Sequence, residues 1–201
     1  MASKVDIWNA ALTAIGRQII ASETEDSTRA NLVRSRYDNL RQKILEDVWT
    51  FATSRVRLAR LVDVPVFGWK YFYAMPANHL TTLGVFFDAD LKREALYQIE
   101  GDNRLATDNE EIYMRYIEDV EDPNRMTASF REYLSAELAF QICIRSTELS
   151  GRRKDMESWR NDAKIDARSK DAQGDLIEQI PEGSWISGRY GSHTDGNDWS
   201  W

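Results

Sequence analysis

Residues 37–61 read YDNLRQKILEDVWTFATSRVRLARL, and two periods meet inside them. Tyr37, Leu40, Ile44 and Val48 recur at spacings of three and four, one face of an α-helix. Beyond Phe51, "RVRLARL" alternates polar and apolar residues, the period of two that a half-buried strand requires. A chain that switches period this abruptly leaves a helical layer for a β layer. Working outward from the switch shows how far each layer extends.

Toward the N-terminus, the helix is predicted from about Ser27 to Thr50, with Val33 joining the same apolar stripe. Arg29, Arg34, Arg36, Arg41 and Lys43 fall mostly off it. The upstream "SETEDST" supplies caps, and Glu23, Glu25 and Asp26 suit the positive end of the helix dipole. Before it, residues 3–17 predict a short amphipathic helix with Val5, Trp8, Leu12 and Ile15 on one side. Ser3 is placed to cap its start and Gly16 to end it.

Toward the C-terminus, "VFGWKYFYAMP" (66–76) sets Phe67, Trp69, Tyr71 and Tyr73 at alternate positions between Pro65 and Pro76, which predicts a strand. "ALYQIEGDNRLATD" predicts a hairpin turning at Gly101-Asp102-Asn103. "EIYMRYIED" predicts a strand apolar on both faces, Ile112, Met114 and Tyr116 opposing Tyr113 and Ile117. Helical spacing returns after "EDPNRM". Phe130, Leu134, Leu138 and Ile142 make one stripe, and Tyr133, Ala136, Phe140 and Ile144 a second, so this helix is expected to be central to a bundle or buried against a neighbour. A fourth helix, about 153–172, carries only a thin stripe of Met156, Trp159, Ala163 and Ala167 among many charges. The sequence then runs into "PEGSWISGRYGSHTDGNDWSW" (181–201), with no period but with Trp185, Tyr190, Trp199 and Trp201.

These readings predict an α+β fold. Residues 1–51 and 120–175 make a helical bundle of about four helices, 52–119 an inserted, small and mostly antiparallel β region, and 176–201 an extended C-terminal arm. Exposed aromatics gain nothing in a solvated tail, so the arm is expected to dock on a partner through its four rings. The chain has 7 Trp, 8 Tyr and 7 Phe. That is more than one modest core needs, which points to interfaces as well.

The formal net charge of −7 argues against a protein built to grip a nucleic-acid backbone. A DNA-binding helix using the basic residues of 29–43 remains an alternative. No apolar run approaches the ~20 residues of a membrane helix, and the N-terminus has no signal-peptide pattern. The single Cys143 fits a reducing compartment and reads as a core residue. His79 reads as a turn or interface residue, and neither it nor His193 has neighbours at metal-ligand spacing. No metal or cofactor is expected. Glu110, Glu111, Glu118, Asp119, Glu121 and Asp122 crowd the edge of the β region. They read as a solvated edge or interface, and alternatively as the acid and base of a glycosidase-like enzyme. The basic run Arg152, Arg153 and Lys154, and the acidic Glu118, Asp119 and Glu121, are the candidates for charged contacts between subunits.

Several of these stretches together resemble a known family. "DIWNAALTAIGRQII", "ANLVRSRYDNLRQKILEDVWTFA" with its Trp49-Thr50-Phe51, "WKYFYAMPANHLTTLGVF" and "LYQIEGDNRLATDNEEIYMRYIEDVEDP" resemble the tail tubular protein A family of tailed bacteriophages. The likeness spans roughly residues 4–175 and rests on element order and short motifs. It implies a non-enzymatic virion protein, a head–tail adaptor forming a ring, typically dodecameric, between the portal of the DNA-filled head and the tail nozzle or tube. It also implies helices against the portal, a β region facing the tail, DNA passing without specific binding, and tail fibres attached at this level in some members. The arm would then dock in the portal or a neighbouring subunit. The alternative function is a tail-associated enzyme degrading cell wall or polysaccharide.

Overall fold

Ser3 opens the first helix in the computed structural model, which describes residues 1–101, 103–145 and 151–174. Its hydroxyl accepts from the Asp6 amide while the Asp6 carboxylate accepts from the Ser3 amide, a reciprocal capping box. Helix α1 (Lys4–Ala14) buries Ile7, Trp8, Ala11 and Leu12. It ends before Gly16, whose φ of +72° is a left-handed conformation that a side chain disfavours.

Helix α2 (Thr28–Leu45) is capped by Ser27 and buries Val33, Tyr37, Leu40 and Ile44, as the stripe predicts. It stops short of the expected Thr50, and Val48 is 56% exposed. The reason lies in Trp49, which turns into the core and donates its indole N–H to the Ile44 carbonyl at 2.8 Å. That bond satisfies one of the carbonyls a helix end leaves open. A second departure is Arg41, expected off the stripe but 2% exposed.

Helix α3 (Ala128–Arg145) packs against α1, α2 and helix α4 (Arg153–Gly174), so its apolar circumference has neighbours on every side. From α4, Ala163 and Ala167 are buried and Met156 and Trp159 half-buried.

Between α2 and α3 the chain builds two antiparallel sheets. In the first, β7 (Tyr113–Glu118) lies between β1 (Thr53–Arg57) and β4 (His79–Phe86). The second runs β2 (Ala59–Arg60), β3 (Tyr71–Ala74), β6 (Arg104–Thr107), β5 (Tyr97–Glu100). The predicted hairpin is the β5–β6 pair, closed by Glu100 opposite Arg104, with Asn103 at φ +59°.

Strand β7 is apolar on both faces because it serves two cores. Ile117 joins the helical cluster with Trp49, Phe130 and Leu134. Met114 and Tyr116 face the other way, into a cluster with Tyr73, Val85, Leu105 and Ile112 between the sheets. The order is therefore helices, first sheet, second sheet.

The aromatic run 66–76 is a strand only over Tyr71–Ala74. The preceding residues fold back over the outer face of the second sheet. Leu61 donates its amide to the Phe72 carbonyl, Asp63 pairs with Arg104 at 3.8 Å, and the Trp69 indole donates to Gln98 at 3.3 Å. Gly68, at φ +85°, provides a reversal that an alternating strand does not contain. Tyr71 and Tyr73 keep their predicted alternation, whereas Phe67 and Trp69 lie outside the strand.

Candidate interaction surfaces

The loop that crosses the second sheet covers Phe72 and Ala106, both buried, and turns its own apolar side chains outward. Val62, Val66 and Phe67 are 98%, 96% and 87% exposed, and Val64 is exposed as well. Beside them, β5 is an open edge: all four of its residues are exposed, with Leu96 just before it. Edge strands in lone proteins are usually defended by Lys, Pro or a bulge. Here Tyr97, Gln98 and Ile99 carry none of these, and the short strand's one charged residue is Glu100 at its end. A contiguous apolar crest on an otherwise charged chain is the mark of a surface that meets another macromolecule.

A different chemistry holds the β region to the helices. The Arg41 guanidinium, buried under α2, binds the Asp119 carboxylate and donates to the Val120 carbonyl at 2.9 Å. Gln42 donates to the second oxygen of Asp119 at 2.8 Å. One residue earlier, Glu118 takes a two-pronged Arg125 at 2.6 and 2.9 Å and the Ser54 hydroxyl at 3.1 Å. Hydrogen bonding from Arg125 holds the Glu118 carboxyl below its ordinary range. A general acid requires the opposite shift, so Glu118 is placed to stay ionised. Sequence reasoning assigned Glu118 and Asp119 to contacts between subunits, and the structure gives both of them partners within their own chain. Arg41 is the only arginine buried among the described residues, and its pairing with Asp119 was missed because the two lie far apart in the chain and no local pattern links them.

Trp49, Thr50 and Phe51 form the hub of this junction. The Trp49 ring stands edge-on to Phe130 at 4.9 Å, and the Arg168 guanidinium lies over it at 3.9 Å. Arg168 also reaches Asp47 at 2.6 Å, and the Asp171 carboxylate accepts the Thr50 amide at 3.0 Å. The end of α4 is thereby fastened to the start of the β region.

At the opposite end of the bundle lies a groove of about 680 Å³. Its described lining includes Leu12, Ile15 and Ile142, each almost wholly buried, and the partly exposed Leu32, with Arg17, Gln18, Ser27 and Arg29 supplying polar groups. Arg152 stands over Gly16 nearby, where a Cβ on Gly16 would meet its guanidinium. Arg152, Arg153, Lys154 and Glu121 are all exposed.

The remaining candidates have duller surroundings. His79 begins β4, its Nε2 2.9 Å from the Thr82 hydroxyl, and burial lowers its pKa. Cys143 is buried in α3, and that burial pushes its thiol up, away from a reactive thiolate. Of the basic residues on α2, Arg34 binds backbone carbonyls of the 23–25 loop and Arg29 binds Gln18 and Glu25. Among the described residues, no three His, Cys, Asp or Glu are grouped to hold a metal ion, and no helix is long and apolar enough to cross a membrane. Trp185, Tyr190, Trp199, Trp201 and His193 lie outside the described residues. In comparison with known proteins, the chain matches no protein-family model and no curated relative.

Proposed function

We propose that this chain is a structural component of a phage virion, a head–tail adaptor. It assembles with copies of itself into a ring, a dodecamer on the resemblance of its sequence, that joins the portal to the tail nozzle or tube and lines the DNA channel. The observation that carries the reading is the run of exposed apolar side chains at Val62, Val64, Val66 and Phe67 with the open edge of β5. A lone soluble protein gains nothing from such a surface, and a permanent assembly covers it. The net charge of −7 adds support, since an acidic wall lets DNA slide past without adhering. On this reading the crest meets the tail side or the next copy. Glu121, Arg152, Arg153 and Lys154 remain exposed for charged contacts within the ring, and tail fibres are a further possible neighbour at this level.

Native mass spectrometry of the purified chain, alone and mixed with a portal ring, tests the proposal. Subunits that add to the portal as one closed ring support it. A chain that stays monomeric and ignores the portal overturns it. Turnover of peptidoglycan or capsule that is lost in Glu121→Gln would instead favour the enzyme.

A further inference from the structure

On the flank of α2, Arg36, Asn39 and Lys43 fall at spacings of three and four, one stripe along two turns. With Ser35, Leu40 and Gln141 of α3 they line a concavity of about 250 Å³, and none of its described lining residues is acidic. Neither Arg36 nor Lys43 is bonded or ion-paired to any described residue, and the Arg36 Nε is buried without an acceptor. Other arginines of the helix are taken, Arg29 by Glu25 and Arg41 by Asp119. A guanidinium buried short of an acceptor is satisfied by an anion that comes from outside the chain.

Helix α4 carries the complement. Its buried side holds Ala163 and Ala167, and on the opposite side Asp155, Ser158, Asp162 and Ile165 recur at three, four and three, all exposed. Asp155 and Asp162 have no partner among the described residues, in a helix where Asp166 holds Lys170 and Glu157 meets Arg160. The two acids of α4 and the two bases of α2 are each seven residues apart, ~10 Å along a helix.

Direction agrees with spacing. Within one chain the two helices run the same way: Arg152, just before α4, stands at Gly16 beside the start of α2, and Arg168 reaches Asp47 just beyond its end. Successive copies in a ring of twelve differ by a rotation of about 30°, so α4 of one copy meets α2 of the next nearly parallel. A parallel alignment sets Asp155 against Arg36, Ser158 against Asn39 and Asp162 against Lys43 in a single register.

We propose that the flank of α2 at Arg36 and Lys43 is a contact surface between copies of this chain, and that its occupant is the Asp155 and Asp162 face of α4 from a second copy. The inference rests on the ring reading and names the two surfaces that close the ring. Different faces meet, so the contact is heterologous and continues from copy to copy until the rotation closes. Every copy carries the acids that the basic flank needs at the matching spacing, while a net charge of −7 repels nucleic acid.

Charge exchange tests it, read by native mass spectrometry of the full chain mixed with a portal ring. Arg36→Glu with Lys43→Glu, and separately Asp155→Lys with Asp162→Lys, should each reduce the closed ring ~tenfold or more, because like charges then face each other. The chain carrying all four changes should regain the ring, which a purely structural role for these residues does not produce. Asn39→Cys with Ser158→Cys should cross-link neighbouring copies on oxidation, the native Cys143 being buried. Rings that form equally well in both charge-reversed pairs, or that give no cross-link, overturn the contact and leave the adaptor reading standing. Absence of a ring in the unaltered chain overturns both. Failure of the fourfold variant to recover overturns the contact, as does salt-dependent binding of duplex DNA that Arg36→Glu with Lys43→Glu abolishes.

Discussion

Trp49 and Phe67 are both large aromatic residues outside the helices and strands that flank them, yet the fold treats them in opposite ways. Trp49 is wholly buried: its indole N–H is bonded to the Ile44 carbonyl, its ring packs at right angles to that of Phe130, and Arg168 lies over it. Phe67 is 87% exposed in a loop whose two ends are tied to the second sheet, Leu61 donating its amide to the Phe72 carbonyl and the Trp69 indole donating to Gln98. Similar hydrophobicity is thus used for folding in one place and left outward in the other. The difference is set by neighbours: an acceptor carbonyl, an aromatic residue of α3 and an arginine of α4 converge on Trp49, whereas Phe67 stands almost wholly in solvent.

The comparison is most severely tested by Trp49→Ala. Removing a fully buried indole costs the transfer free energy and leaves a cavity, a loss of about 3–5 kcal/mol. Denaturant unfolding should show a lower midpoint, and the Ile44 carbonyl left open adds to the effect. Arg41→Ala should be nearly as damaging, at roughly 3 kcal/mol, because it abandons Asp119 and the Val120 carbonyl at a partly buried junction. An unchanged midpoint in either variant would mean that the β region is not held to the helices as described.

Next in size is Gly16→Ala, at about 1–2 kcal/mol. It combines a left-handed backbone with a clash between the new Cβ and the Arg152 guanidinium. Thermal unfolding measures it, and Gly101→Ala, with open space around the new Cβ, is the matched control.

A smaller effect lies in the pH dependence of the junction. The folded state lowers the pKa of Glu118, chiefly through the Arg125 hydrogen bonds. A carboxyl lowered on folding adds stability that is complete above its unfolded pKa and is lost as pH falls through the folded value. Unfolding free energy should therefore decline on acidification below about pH 5, the unfolded Glu range being near 4.3. Arg125→Gln should flatten that decline and cost about 0.5–1 kcal/mol at neutral pH, since Arg125 is half exposed. An identical acid slope in the variant would assign the decline to other carboxylates.

Much of this architecture was legible in the sequence, and the exceptions share one cause. The stripes of α1 and of α2 as far as Ile44, the stripe of Phe130, Leu134, Leu138 and Ile142 on α3, and the hairpin at residues 95–108 are local patterns, and each formed where its period placed it. The two faces of β7 were also readable, although that they serve separate cores was not. Local pattern failed where a distant residue won. Trp49 ended α2 early by bonding back to Ile44, Arg41 was drawn inward by Asp119, and the loop 61–70 left its strand pattern to cover Phe72 and Ala106. The exposed crest was hidden for the same reason, since "VFGW" reads as a buried strand until the turn at Gly68 is known. The groove is assembled from three helices, so no single stretch announces it.

The smallest expected stability effect is the most informative for function. Phe67→Ser removes a side chain that solvent already surrounds, so unfolding free energy should stay within ~0.5 kcal/mol of the unaltered chain. If the crest is an assembly surface, the same variant, paired with Val66→Ser, should fail to join the tail-side partner or the ring, read as loss of the assembled mass. Trp49→Ala would then weaken the fold from a position buried within its own chain, while Phe67→Ser abolishes assembly in a chain that folds normally. A crest variant that assembles as well as the unaltered chain would break the contrast between the two aromatics and would move the search for the partner surface to the edge of β5.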